Sequence, residues 1–350
     1  MLLSPAQAQQ VEKHVVVYRE TGRFGGWPAN HGIWAWGNEI VVGLSAAWYQ
    51  KKDDNRHQMD SSKPEEPRLA RSMDGGNTWT VEAPPSLLPP EQGGRKAEPL
   101  RTPMPFTNPN FMMTIRFKDI HQGASYLFYS IDRGKTWNGP HEFPLFGQKG
   151  VAARTDYIVN GPKDCFVFLT AAKSNGREGR VFAARTVDGG VNWNFVAWVG
   201  PEPEGFSIMP SSLRTGPKQL LTTTRVKLNQ NRSWIEQFDS EDNGATWKSA
   251  GPIADTGSFS GNPPSLIKLK DGRLCLTYGR RDAPFPIAAK LSSDGGKTWG
   301  KEIILRADAV AWDMGYVRSV QRSDGRIVTT YYYNDRSAPE RFIAATIWKP

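Results

Sequence analysis

The chain has 350 residues, 44 Lys and Arg against 35 Asp and Glu, and a formal net charge of +9. Charged residues make up 23% and no apolar run is long enough to cross a bilayer, so no membrane span is expected. The basic residues are scattered without a block of like charges, so no nucleic-acid partner is expected; the surplus reads either as a solvated basic surface or as a basic pocket for an anionic small ligand.

At the N-terminus, Ala6-Gln7-Ala8 resembles a signal-peptidase site, but the charged leading region and most of the apolar stretch before it are missing. Residues 1–10 are expected to be either a signal-peptide remnant or a disordered tail, with a secreted or periplasmic location as the matching expectation. Residues 11–350 read as one domain. His14-Val-Val-Val-Tyr18 is its first strand signal.

One motif then recurs five times, as Ser72-Met-Asp74-Gly-Gly76-Asn-Thr78-Trp79 and at Asp132, Asp188, Asp242 and Asp294, with successive Asp residues 58, 56, 54 and 52 apart. The Asp is expected to accept backbone N–H groups two or three residues on, the Gly to supply the positive φ of a tight hairpin, and the Trp to bury apolar area between hairpins. These are scaffold roles. Four strand signals surround the boxes, for instance FSIMPSSL, QLLTTTRV, SWIEQF and TWKSA around Asp242. Units of about 50 residues with four strands imply a propeller. A sixth unit without a box follows in Tyr316–Gln321, Arg326–Tyr333 and Arg341–Trp348, to which the N-terminal run adds the fourth strand. The expectation is an all-β, six-bladed β-propeller of four-stranded antiparallel blades, its ring closed by the N-terminal strand joining the last blade. Cys165 and Cys275 fall in separate units and are expected to be buried thiols, with no disulfide and no metal-ligand spacing; no cofactor is called for.

In an up-and-down blade the 3–4 turn, which holds the box, lies at the opposite end from the start of strand one, the end of strand two and the 2–3 loop. Chemistry is expected at that second end, near the axis. His31 opens strand one of blade 1, and the loop from Gln50 to Arg68 carries His57 and Asp60. Arg116, Arg225, Arg280 and Arg281 end strands two of their blades, Arg154 begins strand one of blade 3, and Tyr316 begins strand one of blade 6 just after Asp313. Their convergence points to an anionic ligand.

The boxes, together with Gly315-Tyr316 followed by Asp324-Gly325 and with Leu221-Thr-Thr-Thr-Arg225, make the chain resemble the sialidase superfamily, specifically bacterial Asp-box glycosidases. The resemblance implies Tyr316 as nucleophile, Arg225 with Arg280 or Arg281 as carboxylate-binding arginines, and Asp60 as the acid; Arg154, Arg116 and His57 are expected around the substrate from their place at the same end of the blades. In two places the chain departs from the family pattern. His31 stands where the first arginine is expected, and no carboxylate occupies the position near Ser207 where a Glu should activate the Tyr, leaving Glu204 or Glu236 as substitutes. The implied activity is an exo-glycosidase releasing a terminal acidic sugar from a glycan. A lyase or a hydrolase for uronate or deoxy-sugar glycans using His31 and Tyr316, and a non-catalytic glycan-binding propeller, are the alternatives.

Overall fold

In a computed structural model, residues 10–53 and 55–350 are described. Of the segment expected to be a leader or tail, residues 1–9 lie outside the described residues, while Gln10 opens a strand. Six antiparallel sheets form the blades of a propeller. The last blade pairs Gly315–Gln321, Ile327–Asp335 and Ala338–Lys349, and its outermost strand is the N-terminal Gln10–Tyr18, with Val15 opposite Ala345. The ring is thus closed by both ends of the described chain, which removes an open edge. Among the described residues no helix is long and apolar enough to cross a membrane.

The boxes act as hairpin locks. In the first, Ser72 Oγ donates to Asp74 Oδ1 at 2.8 Å and accepts Gly76 N–H at 2.7 Å, while Asp74 accepts the N–H groups of Asn77 and Thr78 at 3.0 and 2.9 Å. The acceptor therefore reaches three and four residues on, one further than the sequence reading placed it. Gly76 sits at φ +91°, and Trp79 Nε1 donates to its carbonyl at 3.0 Å. Cys165 and Cys275 are buried and unpaired.

Three blades differ in detail from the expected plan. In blade 3, strand one is split into Val151–Ala152 and Tyr157–Val159, both paired with Cys165–Ala172, so Arg154 lies in the break and does not begin the strand. Blade 2 has three strands, Met112–Phe117, Ser125–Ser130 and Asn138–Glu142. The run that would supply its innermost strand contains Pro103 and Pro105, which lack ladder donors, and Met104 N–H bonds Gly189 O at 2.8 Å instead. In blade 1, strand one is split into Arg23–Gly26 and Ile33–Trp36, both paired with Glu39–Trp48. A single helical turn, Pro28–His31, fills the gap, so His31 lies on this turn and not at the start of a strand. Arg318 from blade 6 anchors the turn to the hub by donating to Ala29 O and Thr155 O, each at 2.7 Å.

Candidate active site

Registers place the boxes and the candidate residues at opposite ends of the strands. In blade 4, Leu220 pairs with Ser240 of the box, whereas Arg225 pairs with Ile208 and Ile235. In blade 2, Met112 pairs with the box residue Ser130 and Arg116 with Tyr126.

Tyr316 follows Gly315 at the entry of the innermost strand of blade 6. Gly315 has φ +109°, and a Cβ there would lie 2.3 Å from Asn262 Oδ1, which accepts the Tyr316 N–H at 3.3 Å; only glycine fits. The register slips between Gly315 and Arg318, and Tyr316 itself has φ +51°. A matching slip between Ile208 and Ser211 carries Met209 at φ +54°. Trp27, Phe259 and Ser260 also have positive φ. Left-handed backbone at residues other than glycine costs roughly 1–3 kcal/mol each, and these residues lie close to Tyr316 and its arginines.

Arg225 Nη1 donates to the Tyr316 hydroxyl at 3.0 Å, and its Nε donates to Ser260 O at 2.7 Å. Arg281 is 2% exposed; it donates to Phe259 O at 2.8 Å and to Tyr332 Oη at 3.2 Å, and packs on Trp312 at 4.9 Å and on Tyr316 at 5.9 Å. Arg154 donates to Asn30 Oδ1 at 3.1 Å and pairs with the buried carboxylate of Glu178. Burial alone would raise the Tyr316 phenol, but the charges of Arg225, Arg281 and Arg154 and the Arg225 hydrogen bond outweigh it and hold its pKa below the usual value.

Beside this cradle lies an Asp–His pair. Asp313, 1% exposed, accepts His57 Nδ1–H at 2.6 Å, Gln58 N–H at 3.1 Å, Tyr332 Oη–H at 2.9 Å and Arg341 Nε–H at 3.2 Å. Burial opposes its charge, yet His57, Arg341 and the Gln58 amide hold its carboxyl well below the usual range. An anionic Asp313 can only accept, so His57 carries its proton on Nδ1 and leaves Nε2 available. The His57 ring lies 5.6 Å from Trp27 and 5.4 Å from Trp312, which stacks on Phe259 at 4.9 Å. Trp27 and Trp312 are themselves buried, so these rings pack the His57 side chain in place.

The other predicted residues lie elsewhere. Arg280 turns outward to Glu302 at 2.9 Å. Asp60 is held in its own turn by Ser62 N–H and Oγ–H, at 3.0 and 2.6 Å, with Lys63 3.7 Å away, and its pKa is lowered chiefly by the Ser62 bonds. His31 Nε2 contacts Ser45 Oγ at 2.9 Å; burial, then Arg116 and Arg318, keep its pKa well below the ordinary histidine value. His31 and Arg116 line a cavity adjoining the cradle. No carboxylate of the described residues bonds the Tyr316 hydroxyl: Glu204 is exposed, and Glu236 bonds Trp234 and Ser249. Sequence reasoning noted Asp313 only as a neighbour of Tyr316 and missed Glu178, Tyr332 and Trp312. The Asp313-Met-Gly-Tyr316 run was the one local signal available.

A family model described as "BNR repeat-like domain" matches residues 68–329. No curated protein matches the chain. Among solved structures, a protein of unknown function from Dyadobacter fermentans is similar at 20% identity and TM-score 0.74, with 97% of this chain and 99% of that chain covered. The Trypanosoma rangeli sialidase in complex with the inhibitor DANA is similar at 13% identity and TM-score 0.65, this chain spanning 60% of its length and being 97% covered. A Penicillium chrysogenum α-L-arabinanase complexed with arabinobiose is similar at 13% identity and TM-score 0.61, with 97% of this chain and 98% of that chain covered. At these identities the likeness is one of fold.

Proposed function

The chain belongs to the BNR repeat-like domain family, and from that premise and the arginine cradle around Tyr316 we propose that it is a glycoside hydrolase releasing a terminal acidic sugar, sialic acid or a relative, from a glycan. The observation that carries the reading is the contact of Arg225 with the Tyr316 hydroxyl, backed by Arg281. Two guanidinium groups beside a phenol serve two ends. They bind the carboxylate of the sugar, and they favour the phenolate that attacks the anomeric carbon. The phenolate's charge is matched by the two guanidinium groups beside it, so the cradle stays cationic toward a carboxylate-bearing sugar.

In this reading His57 enters the step as the imidazolium, gives its Nε2 proton to the leaving oxygen as the glycosidic bond breaks, and then, neutral, takes a proton from the attacking water. Asp313 fixes its tautomer and stabilises the imidazolium. Asp60, the acid implied by the family resemblance, is a weaker candidate, because its carboxylate is held ionised by Ser62. With no carboxylate on the Tyr316 hydroxyl, the phenol proton goes to water, and the arginines favour that release by stabilising the phenolate.

The lack of a carboxylate on Tyr316 also favours a second reading. A phenolate beside an arginine-held uronate can take the C5 proton as the C4–O bond breaks and the C4=C5 double bond forms, with His57 protonating the leaving oxygen. Product analysis on sialyl and uronyl glycans decides between them. A free acidic sugar supports the hydrolase, an unsaturated uronate absorbing in the ultraviolet supports the lyase, and binding without turnover leaves a glycan-binding module.

A further inference from the structure

Across the helical turn Pro28–His31 from Tyr316, between blades 1 and 2, lies a cavity of about 460 Å³ whose wall includes His31, Ser45, Glu65, Arg116, Phe117 and Tyr126. Arg116 is its unusual member. Its Nε is buried without a partner, and among the described residues its guanidinium makes no hydrogen bond and no ion pair. The neighbouring cations are matched: Lys118 bonds Glu91 at 3.0 Å, Lys63 faces Asp60 at 3.7 Å, and Arg154 pairs with Glu178. Arg116 is half-buried with its Nε shut off from solvent, so its charge is partly desolvated without a counter-ion, and burial pulls its pKa down to about 9. A bound anion would offset the cost.

His31 is held neutral, with its Nδ1 also buried and unpartnered. Of the two carboxylates on the wall, Glu91 is taken by Lys118 and the Tyr126 hydroxyl, and neither it nor Glu65 bonds Arg116. The cavity therefore offers one unmatched cation amid hydrogen-bonding groups and the rings of Phe117 and Tyr126.

It also shares a wall with the cradle. Arg154, whose charge acts on Tyr316, stacks on Phe117 at 4.8 Å and donates to Asn30 Oδ1, and both Phe117 and Asn30 line the cavity. Ala29 of the same helical turn packs in the cluster that includes Tyr316. A glycan lying over the turn would place one residue in the cradle and the next in the cavity.

We infer that this cavity is a second anion subsite, in which Arg116 takes the carboxylate or sulfate of the sugar next to the one held at Tyr316, so that the substrate carries acidic groups on both sides of the bond to be broken. The inference rests on the reading of Tyr316 as the reaction site. Its test uses calorimetric titration of the Tyr316→Phe protein, which prevents turnover. The ligands are a uronyl-uronate and a sialyl-sialate disaccharide, each compared with its counterpart in which the reducing-end carboxyl is an alcohol. The diacid should bind about ten-fold or more tightly than the monoacid, the scale of one charge-assisted contact. Arg116→Gln in that background should bring the ratio close to one, and Arg116→Lys should retain part of it. Equal affinities in the parent, or an unchanged ratio in Arg116→Gln, overturns the inference. Arg225→Ala should weaken diacid and monoacid alike; if it weakens neither, the Tyr316 reading fails, whatever the ratio at Arg116. A panel in which no acidic disaccharide binds overturns both.

Discussion

Tyr316 and Arg225 are 91 residues apart in the chain and come from blades 6 and 4, yet Nη1 of the arginine lies 3.0 Å from the phenol oxygen. The contact has a signed consequence for pH dependence. Arginine charge lowers the phenol pKa, so the phenolate persists to a lower pH than in a free tyrosine. Arg225→Gln removes the nearest charge and its hydrogen bond and should move the Tyr316 pKa upward. The rising limb of kcat/KM should shift to higher pH with it, and KM for an acidic substrate should increase about ten-fold or more. Tyrosinate absorbance, taken as the difference from Tyr316→Phe, measures the pKa directly. No shift would mean that the arginine does not activate the phenol.

The Asp313–His57 pair yields separate kinetic and stability tests. His57→Asn should lower kcat by about 10²–10⁴-fold while leaving KM for an acidic substrate little changed, because it moves protons and does not bind the carboxylate. A fall in KM-linked binding with unchanged kcat would place His57 on the substrate and not in the chemistry. Asp313→Asn should also cost about 3–5 kcal/mol at pH 7, since it leaves Arg341 buried beside a neutral group. Asp313 has a folded pKa below its unfolded value of about 3.9, so its stabilisation is complete above that pH and is lost as pH falls toward the folded value. The gap between wild type and Asp313→Asn in urea unfolding should therefore shrink as pH drops below about 4; a constant gap would show that the charge is not what stabilises.

The box residues should behave oppositely. Asp132 accepts Thr136 N–H and Oγ–H at 2.9 and 2.6 Å and Ser130 Oγ–H at 2.7 Å. Asp132→Ala should cost about 1–2 kcal/mol, as for loss of a side-chain cap, and leave kcat and KM unchanged. Thermal unfolding beside steady-state kinetics checks this, and a kinetic defect in a fully folded variant would contradict the assignment of boxes to the scaffold.

The box variant tests the part of the architecture most legible from local pattern. Five hairpin motifs at near-constant spacing encode five blades directly, the strand runs after Asp313 and the N-terminal run supply the sixth, and strand polarity then assigns Arg225, Arg281 and Tyr316 to one end. What local pattern does not encode is side-chain pairing between segments remote in the chain. His57 and Asp313 are 256 residues apart, and Glu178 reaches Arg154 from the third strand of the same blade, with no signal in either segment. Arg280 and Arg281 are adjacent past the end of their strand, so alternation cannot say which turns inward; the structure sends Arg280 to Glu302 and Arg281 to Tyr332. The turn Pro28–His31 is too short for a helical period to show, which is why His31 reads from sequence as a strand residue.

Glu178 provides a last test of how charge is balanced in the cradle. It neutralises Arg154, the third of the arginines acting on Tyr316, and both side chains are 7% exposed. Glu178→Gln leaves that guanidinium uncompensated. Stability should fall by about 3–5 kcal/mol, the cost of breaking a buried pair from one side. The freed charge also acts on its neighbours, so the Tyr316 pKa should fall further and an acidic inhibitor such as a sialyl or uronyl analogue should bind more tightly, against the trend expected of a damaged protein. Calorimetric affinity and the tyrosinate titration read these two effects independently of stability. Weaker binding with an unmoved phenol pKa would mean that Arg154 serves the scaffold alone and that the cradle has two working arginines.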